Sequence, residues 1–437
     1  VNFISTRGQS PIIQFSTALS ASLAPDGGLY VPESFPHFNP AQFASLANED
    51  LSLAKIGREI FAPFIKDHAT GLRAEISSIC KRAFDFPIPL IPLSENTSVL
   101  ELFHGPTAAF KDVGARFLRE CLDTLSESKT LQKRSTILVA TSGDTGGAVA
   151  AAFHRHSEFE VFVLFPKGRI SPRQEKQLTC WGDNIHSIAV HGTFDDCQRL
   201  VKEAFQAFNT PTLAHQRSFT SANSINIGRI LPQSFYYAVS SILHYKKTGK
   251  ATGFIIPSGN LGNSVGALWA KEMGFPIRQV VLACNANRSV PEYLQSGIWK
   301  PHSTVATLAN AMDVGNPSNI ERIRHLFPEI ERLKKEVAAF SVSDQEIQNT
   351  IAEDWKTLGR AWCPHTATAA FVRKSLPQDE HWVIVSTAHP AKFETIVEPL
   401  IGETLEIPPA LSEILSKPSQ YVDIQPALEN LMKELSK

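Results

Sequence analysis

Thr136-Ile-Leu-Val-Ala-Thr141-Ser-Gly-Asp-Thr-Gly-Gly147 decides the fold. Its first half is a short, continuously apolar run, and its second half is a glycine-rich turn. The alanine-rich stretch Ala148 to His154 follows and reads as a helix. Then comes Val161-Phe-Val-Leu-Phe165, a second apolar run, stopped by Pro166. A strand that is apolar throughout, rather than alternating, has both faces covered. Strand, turn, helix and strand in that order predict an α/β fold with a parallel sheet flanked by helices.

The pattern continues downstream. Ser187-Ile-Ala-Val190 is another strand, and Cys197, Leu200, Val201, Ala204, Phe205 and Phe208 then mark one face of an amphipathic helix. Thr193 is placed to cap it. Gly253-Phe-Ile-Ile256, Gln279-Val-Val-Leu-Ala283 and Trp382-Val-Ile-Val-Ser386 complete the predicted strands. In such sheets ligands bind beyond the carboxyl ends of the strands, so the loops after these runs are where chemistry is expected.

Upstream the texture differs. Prolines recur through the first 95 residues around a mostly helical stretch from Pro40 to Phe84. Pro87-Ile-Pro-Leu-Ile-Pro92 cannot form a central strand or a helix, because proline lacks the N–H donor. We therefore expect an N-terminal domain over residues 1–95, an α/β region over 96–250 and a second over 251–437. The tail after Gly402 is proline-rich and ends in a predicted helix from Pro426 to Leu435.

A chain of 437 residues suits two or three domains. With 43% hydrophobic and 19% charged residues it has the composition of a folded protein. A net charge of -1 provides no field of one sign to draw it to nucleic acid or to a membrane surface. The apolar runs are far shorter than a membrane span, and Val1 to Ser10 shows no basic segment followed by an apolar core. A cytoplasmic location is the expectation. None of the six cysteines is spaced as CxxC, and no HExxH occurs, so no metal site is expected.

Six stretches have the residue types that chemistry needs. Pro257-Ser-Gly-Asn-Leu-Gly-Asn263 lies between a strand and the predicted helix Ser264 to Met273. Its glycines and the helix N-terminus suit a phosphate, although a plain strand–helix turn looks the same in sequence. Thr141 to Gly147 mixes hydroxyls and a carboxylate with glycines; it reads as an anion-holding loop or as a tight turn. Phe103-His-Gly-Pro-Thr-Ala-Ala-Phe-Lys-Asp112 sets Lys111 beside apolar Phe110 and Val113, where desolvation would lower its pKa; most lysines are instead solvated surface residues. Lys167, Arg169, Arg173 and Lys176 crowd the stretch after Phe165, as a phosphate grip or as ordinary surface charge. Ser221-Ala-Asn-Ser-Ile-Asn226 with Arg229, and the shorter Asn310-Ala-Met-Asp-Val314, orient a polar substrate or merely cap helices.

Taken together these stretches resemble the threonine synthase family of the longer bacterial and fungal type. The likeness covers nearly the whole chain. It is strongest in Glu101 to Asp112, Ala140 to Gly146, Ile170 to Lys176, Ser221 to Asn226, Pro257 to Gly262, Ala309 to Val314 and Thr387-Ala-His-Pro-Ala-Lys-Phe393. Ser22 to Tyr30 fits as well. The resemblance implies a pyridoxal-phosphate enzyme of the tryptophan-synthase-β-like fold (fold type II), with Lys111 as the Schiff-base lysine. It implies that Gly259, Asn260, Leu261, Gly262 and Asn263 hold the cofactor phosphate, that Thr387 meets the pyridine nitrogen and that Asp144 stands near the ring hydroxyl. Leu261 and Asn263 depart from the Phe and Asp frequent in the family, at positions expected to contribute mainly backbone.

The implied reaction converts O-phospho-L-homoserine and water to L-threonine and phosphate, with Lys111 as general base. Lys167, Arg169, Arg173 and Lys176 become candidates for the substrate phosphate, Ser142 and Thr145 for its carboxylate, and Asn223 for a further polar contact. A serine or threonine dehydratase or a cysteine synthase of the same fold is the nearest competing reading, and a non-catalytic phosphate-binding relative is another. Whether the chain is a monomer or a homodimer is left open.

Overall fold

The computed structural model describes residues 1–46, 52–128, 135–208 and 218–436. The N-terminal stretch opens with a short antiparallel pair, β1 (Phe3–Ser5) and β2 (Tyr30–Pro32), followed by helices at Pro40–Leu46, Leu53–Phe61 and Leu72–Ala83. The first proline-rich segment does enter a sheet, as β3 (Leu90–Ser94), but at its edge and antiparallel to β4 (Thr97–Glu101). An edge is where a strand containing Pro92 loses least, because one side needs no donors.

The continuous apolar runs become parallel strands. One sheet is built of β5 (Ser135–Ala140), β6 (Phe159–Pro166), β7 (Ile185–Val190), β8 (Ser218–Ser221) and β13 (Val422–Ile424), in the order β13-β7-β6-β5-β8. All its pairings are parallel. The other has β9 (Thr252–Pro257), β10 (Ile277–Cys284), β11 (Val337–Ser341) and β12 (Trp382–Ser386), in the order β11-β10-β9-β12-β4-β3. Its interior pairings are parallel too. Every residue of β5 and β9 is buried, as two covered faces require.

Neither sheet comes from one continuous segment. The strands of residues 90–101 join those after 250, and the strand at 422–424 returns to the earlier sheet. A cut at residue 250 thus follows the sequence and not the sheets. The N-terminal helices are not isolated either. Phe84 stacks on Phe235 at 4.4 Å between ring centroids, and Phe61 meets Phe117 at 5.0 Å. Aromatic pairs of this kind contribute about 0.5–1.5 kcal/mol each beyond area burial.

The helices start where local chemistry lets them. Helix Phe194–Phe208 is capped by Thr193, whose hydroxyl accepts from Asp196 N at 3.2 Å, while Asp196 Oδ2 accepts from Thr193 N at 2.8 Å. Its face of Cys197, Leu200, Val201 and Ala204 is buried; the side chain of Phe208 lies outside the described residues. The predicted helix at Ala148 starts earlier, at Asp144, inside the glycine loop, and runs to Phe153. Helix Pro172–Thr179 has a complete capping box, Ser171 with Gln174, and proline at its first turn.

Candidate functional site

The three adjacent strands β9, β12 and β4 point their carboxyl ends at one place. β9 ends at the loop Ser258–Leu261, β12 at Thr387, and β4 leads into the loop that carries Lys111. Backbone bonds lace the last two together. Phe110 N donates to Thr387 O at 2.8 Å, Leu102 N to Ser386 O at 3.0 Å and His389 N to Ala108 O at 3.0 Å. From the other sheet, β5 delivers Thr141 to Thr145 and β8 delivers Asn223 and Ser224. One pocket is lined by Lys111, Ser142, Asp144, Thr145, Asn223, the whole Gly259–Asn263 loop and Thr387. Residues scattered over most of the chain thus meet, as the switch between two sheets demands.

Lys111 is the first residue of helix Lys111–Glu127. The loop before it is pinned by Asp112, which accepts from Thr107 N at 2.9 Å and from Thr107 Oγ1 at 2.6 Å. Burial lowers the Lys111 pKa to about 8, with Asp144 opposing and Arg229 and Lys392 assisting. The positive end of its own helix acts in the same direction. About a tenth of an amine so placed is neutral at pH 7, far more than of a solvated lysine, and that fraction can act as nucleophile or base.

The glycine loop is built for close approach. A Cβ on Gly259 would stand 2.5 Å from Met312 Cα, so only glycine passes there. Leu261 adopts a left-handed backbone, with φ 63°, directly before helix Gly262–Glu272. The first N–H groups of a helix lack intrahelical acceptors, and here they open on the pocket. The side chains turn elsewhere. Asn260 Nδ2 donates to Ser224 Oγ at 2.6 Å, and Asn260 Oδ1 accepts from Ser318 N at 2.7 Å. Asn263 Oδ1 accepts from Tyr236 and Tyr237 hydroxyls. What remains for a phosphate is the backbone of the loop together with Asn263 Nδ2, a buried donor without a partner. A buried lysine, a backbone anion cradle and the hydroxyl residue Thr387 form a donor set that fits pyridoxal phosphate: an aldehyde, a phosphate and a ring nitrogen.

Around this core the sequence reading needs changes. Lys167, Arg169, Arg173 and Lys176 do not line the pocket. Lys167 pairs with Asp423 at 2.7 Å, and Lys176 Nζ donates to Ser419 Oγ at 3.1 Å. Arg173 donates to Ala391 O at 2.7 Å and lies 3.5 Å from Glu398. Arg169 is exposed. Arg173 and Lys176 lie on helix Pro172–Thr179 itself, with their side chains directed at Ala391, Glu398 and Ser419 and not at the pocket.

The pocket's cations come from elsewhere. Arg229 is only 3% exposed and lines the pocket. One guanidinium nitrogen donates to Ala222 O, Nε has no partner, and among the described residues no carboxylate pairs with it. A buried guanidinium without a counter-ion calls for an anion. Lys392 has its amine 2.7 Å from Asp144 Oδ1 and is fully buried. Burial would raise the Asp144 pKa, but Lys392, then Lys111 and His365, hold it well below the ordinary range.

His365 is the other residue that the sequence reading missed. Its Nε2 accepts from Ala311 N at 3.0 Å, which places the ring proton on Nδ1, and Nδ1 has no partner. Burial lowers its pKa to about 4, so the ring is neutral. Asn223 does line the pocket, but its amide also pairs with Ala140, donating to O at 2.8 Å and accepting from N at 3.2 Å. Asn226 in the same loop is a helix cap, accepting from Gly228 N at 2.8 Å. Arg322, fully buried, binds Tyr30 O, Ser224 O and Ile225 O and so ties the N-terminal strand to the pocket wall.

Comparison with known proteins agrees with this geometry. A family model described as pyridoxal-phosphate dependent enzyme matches residues 87–388. Models for the threonine synthase N terminus and the threonine synthase C-terminal region match residues 2–84 and 365–435. Threonine synthase of Buchnera aphidicola subsp. Baizongia pistaciae is 39% identical over 425 residues, 97% of this chain and 96% of its own. The crystal structure of threonine synthase from Escherichia coli superposes with a TM-score of 0.91 at 35% identity, covering 100% of this chain and 99% of that one. The PLP-bound threonine synthase from Brucella melitensis superposes with a TM-score of 0.88 at 32% identity, covering 99% and 98%.

Proposed function

Because the chain belongs to the threonine synthase family of pyridoxal-phosphate-dependent enzymes, we propose that this pocket is where it forms L-threonine and phosphate from O-phospho-L-homoserine and water. Lys111 is the amine that bears the cofactor, the Gly259–Asn263 backbone holds the cofactor phosphate and Thr387 meets the ring nitrogen. The observation that carries this reading is the convergence of a buried amine, a glycine cradle and an unpaired guanidinium in one pocket. Pyridoxal phosphate, when bound, withdraws electrons and makes the substrate's Cα–H and Cβ–H bonds acidic.

The chain's own groups do the rest. Lys111 takes the proton from Cα. The proton that leaves Cβ is returned at Cγ after phosphate departs. Water gives its hydroxyl to Cβ and its proton to the phosphate. Lys111 then reprotonates Cα, and a pKa near 8 allows these transfers in both directions. Arg229, with Ser224 and Asn223 beside it, receives the substrate phosphate and steadies its charge as the bond to Cγ breaks. This replaces the role expected of Lys167, Arg169, Arg173 and Lys176. Ser142 and Thr145, on the opposite wall, take the carboxylate. Asp144, locked to Lys392, lies within electrostatic reach of Lys111. Buried walls on both sheets keep stray water from the reacting carbons.

Among the described residues no helix is long and apolar enough to cross a membrane. With a net charge of -1 the surface favours no nucleic acid partner. We infer that the chain acts on a small molecule in the cytoplasm, in keeping with its threonine synthase relatives. The test is to supply O-phospho-L-homoserine to the protein with pyridoxal phosphate and measure phosphate and L-threonine together. Equal yields are expected. Phosphate without threonine, or turnover of L-serine or L-threonine in its place, would refute the assignment.

A further inference from the structure

Asp144 in the pocket wall is under the influence of two lysines, Lys392 in direct contact and Lys111 through its charge. Lys392 is fully buried and spends its amine on Asp144 Oδ1, at 2.7 Å, and on Thr107 O, at 2.8 Å. Its own backbone carbonyl accepts from Ser171 Oγ at 2.6 Å, and Gln177 Nε2 donates to the same Thr107 carbonyl at 3.0 Å. Gln174 Nε2 supplies Asp144 with a further bond at 3.1 Å. Lys392 therefore stands between Asp144, on the helix after β5, and the loop that presents Lys111.

Resting on the reading of Lys111 as cofactor lysine, we propose that Lys392 is a positioning residue: it neutralises Asp144 and thereby leaves the Lys111 amine free to act as nucleophile and base. The reasoning is electrostatic. A carboxylate without Lys392 would draw the nearest remaining amine, and Lys111 is that amine. An ammonium paired with a carboxylate has no lone pair with which to attack a carbonyl or accept a proton. The other charged or titratable groups around Lys111 do not fill this role. Asp112, next in its own helix, is turned to Thr107. Arg229 lacks a carboxylate partner, and His365 has its acceptor nitrogen occupied by Ala311 N. Among the described residues only Lys392 touches Asp144 with a charge, and its effect and that of Arg229 on Lys111 both oppose that of Asp144. Its grip on Thr107 O also fixes the loop whose far end is Lys111.

The experiment follows the rate at which the visible band appears when excess pyridoxal phosphate is added to the full chain stripped of cofactor, as a function of pH. This rate depends on the fraction of Lys111 that is unprotonated. The parent is expected to show a midpoint near the Lys111 pKa of about 8. Lys392→Met is expected to move that midpoint up by about one unit, an approximately tenfold slower reaction at neutral pH. Asp144→Asn added to Lys392→Met brings the midpoint back to the parent's, and Lys392→Arg keeps it there. Asp144→Asn alone leaves a cation unneutralised beside Lys111 and moves the midpoint down. If Lys392→Met does not fold, the last variant still decides. An unchanged midpoint in Lys392→Met or in Asp144→Asn overturns the proposal, and so does a double variant that keeps the shift of Lys392→Met. A parent that develops no band refutes instead the cofactor reading on which the proposal rests.

Discussion

Lys167, Arg169, Arg173 and Lys176 lie within one short stretch after β6, whereas Lys111, Arg229 and Lys392 come from three distant parts of the chain. The first group looks like an anion site in sequence and is not one in space. The Lys167 side chain is 37% exposed and pairs with Asp423, and Arg173 is committed to Ala391 O and Glu398. The second group is invisible as a cluster, yet Lys111 and Arg229 line one pocket and Lys392, buried behind it, holds Asp144 of its wall. Density of charge along a chain reports solvation. Arg229 suits an anion because it is already desolvated and, among the described residues, has no carboxylate partner, whereas Lys392 is spent on Asp144.

The comparison can be broken at its strongest point first. Lys111→Ala should reduce turnover by on the order of 10^3-fold or more and abolish the cofactor absorbance band, read by steady-state kinetics and spectroscopy. Retained activity would remove the buried group from the chemistry. Arg229→Met should raise KM for substrate about 10- to 100-fold, since a charged hydrogen bond is at stake, while cofactor affinity changes less. A normal KM would return the search to the exposed group.

The surroundings of the buried group offer a third test. His365 is held neutral with a pKa of about 4, below the ordinary value for histidine. The unfolded chain therefore takes up this proton first as pH falls. Stability from this group is complete above about pH 6.5 and is lost as pH drops towards 4, by on the order of 3 kcal/mol. Urea midpoints from pH 7 to 4 should fall more steeply for the parent than for His365→Gln; equal slopes would contradict a buried neutral ring. The exposed group sets the smallest effect. Arg173→Ala should cost about 1–2 kcal/mol in denaturation, as Ala391 O loses its donor, with KM within about threefold of the parent. A KM change as large as that of Arg229→Met would erase the distinction drawn here.

The fold was legible where burial leaves a one-dimensional mark. β5, β6, β9 and β12 are continuous apolar runs, and the face of helix Phe194–Phe208 repeats with helical spacing. β13 left no mark, because it has three residues and Val422 is 39% exposed. β3 was concealed by Pro92, which an edge tolerates. Of the site, the glycine loops announced themselves, because a backbone that must approach a ligand needs glycine, as at Gly259. Lys392 stood inside the segment Thr387 to Phe393 that carried the family likeness, but nothing local signals that a lysine is buried. His365 depends on Ala311, far away in sequence, for its tautomer. His365 meets Ala311 across connections of one sheet and Lys392 meets Asp144 from the other, pairings that only the folded chain displays.

With Lys111 in the pocket and Lys392 buried against Asp144 of its wall, the assignment of the cofactor to Lys111 is the claim on which everything else turns. The most direct measurement is to load the protein with pyridoxal phosphate, reduce it with borohydride and locate the added mass by peptide mass spectrometry. The account predicts a single site at Lys111. A label on Lys392, or on any lysine outside the pocket, would contradict it.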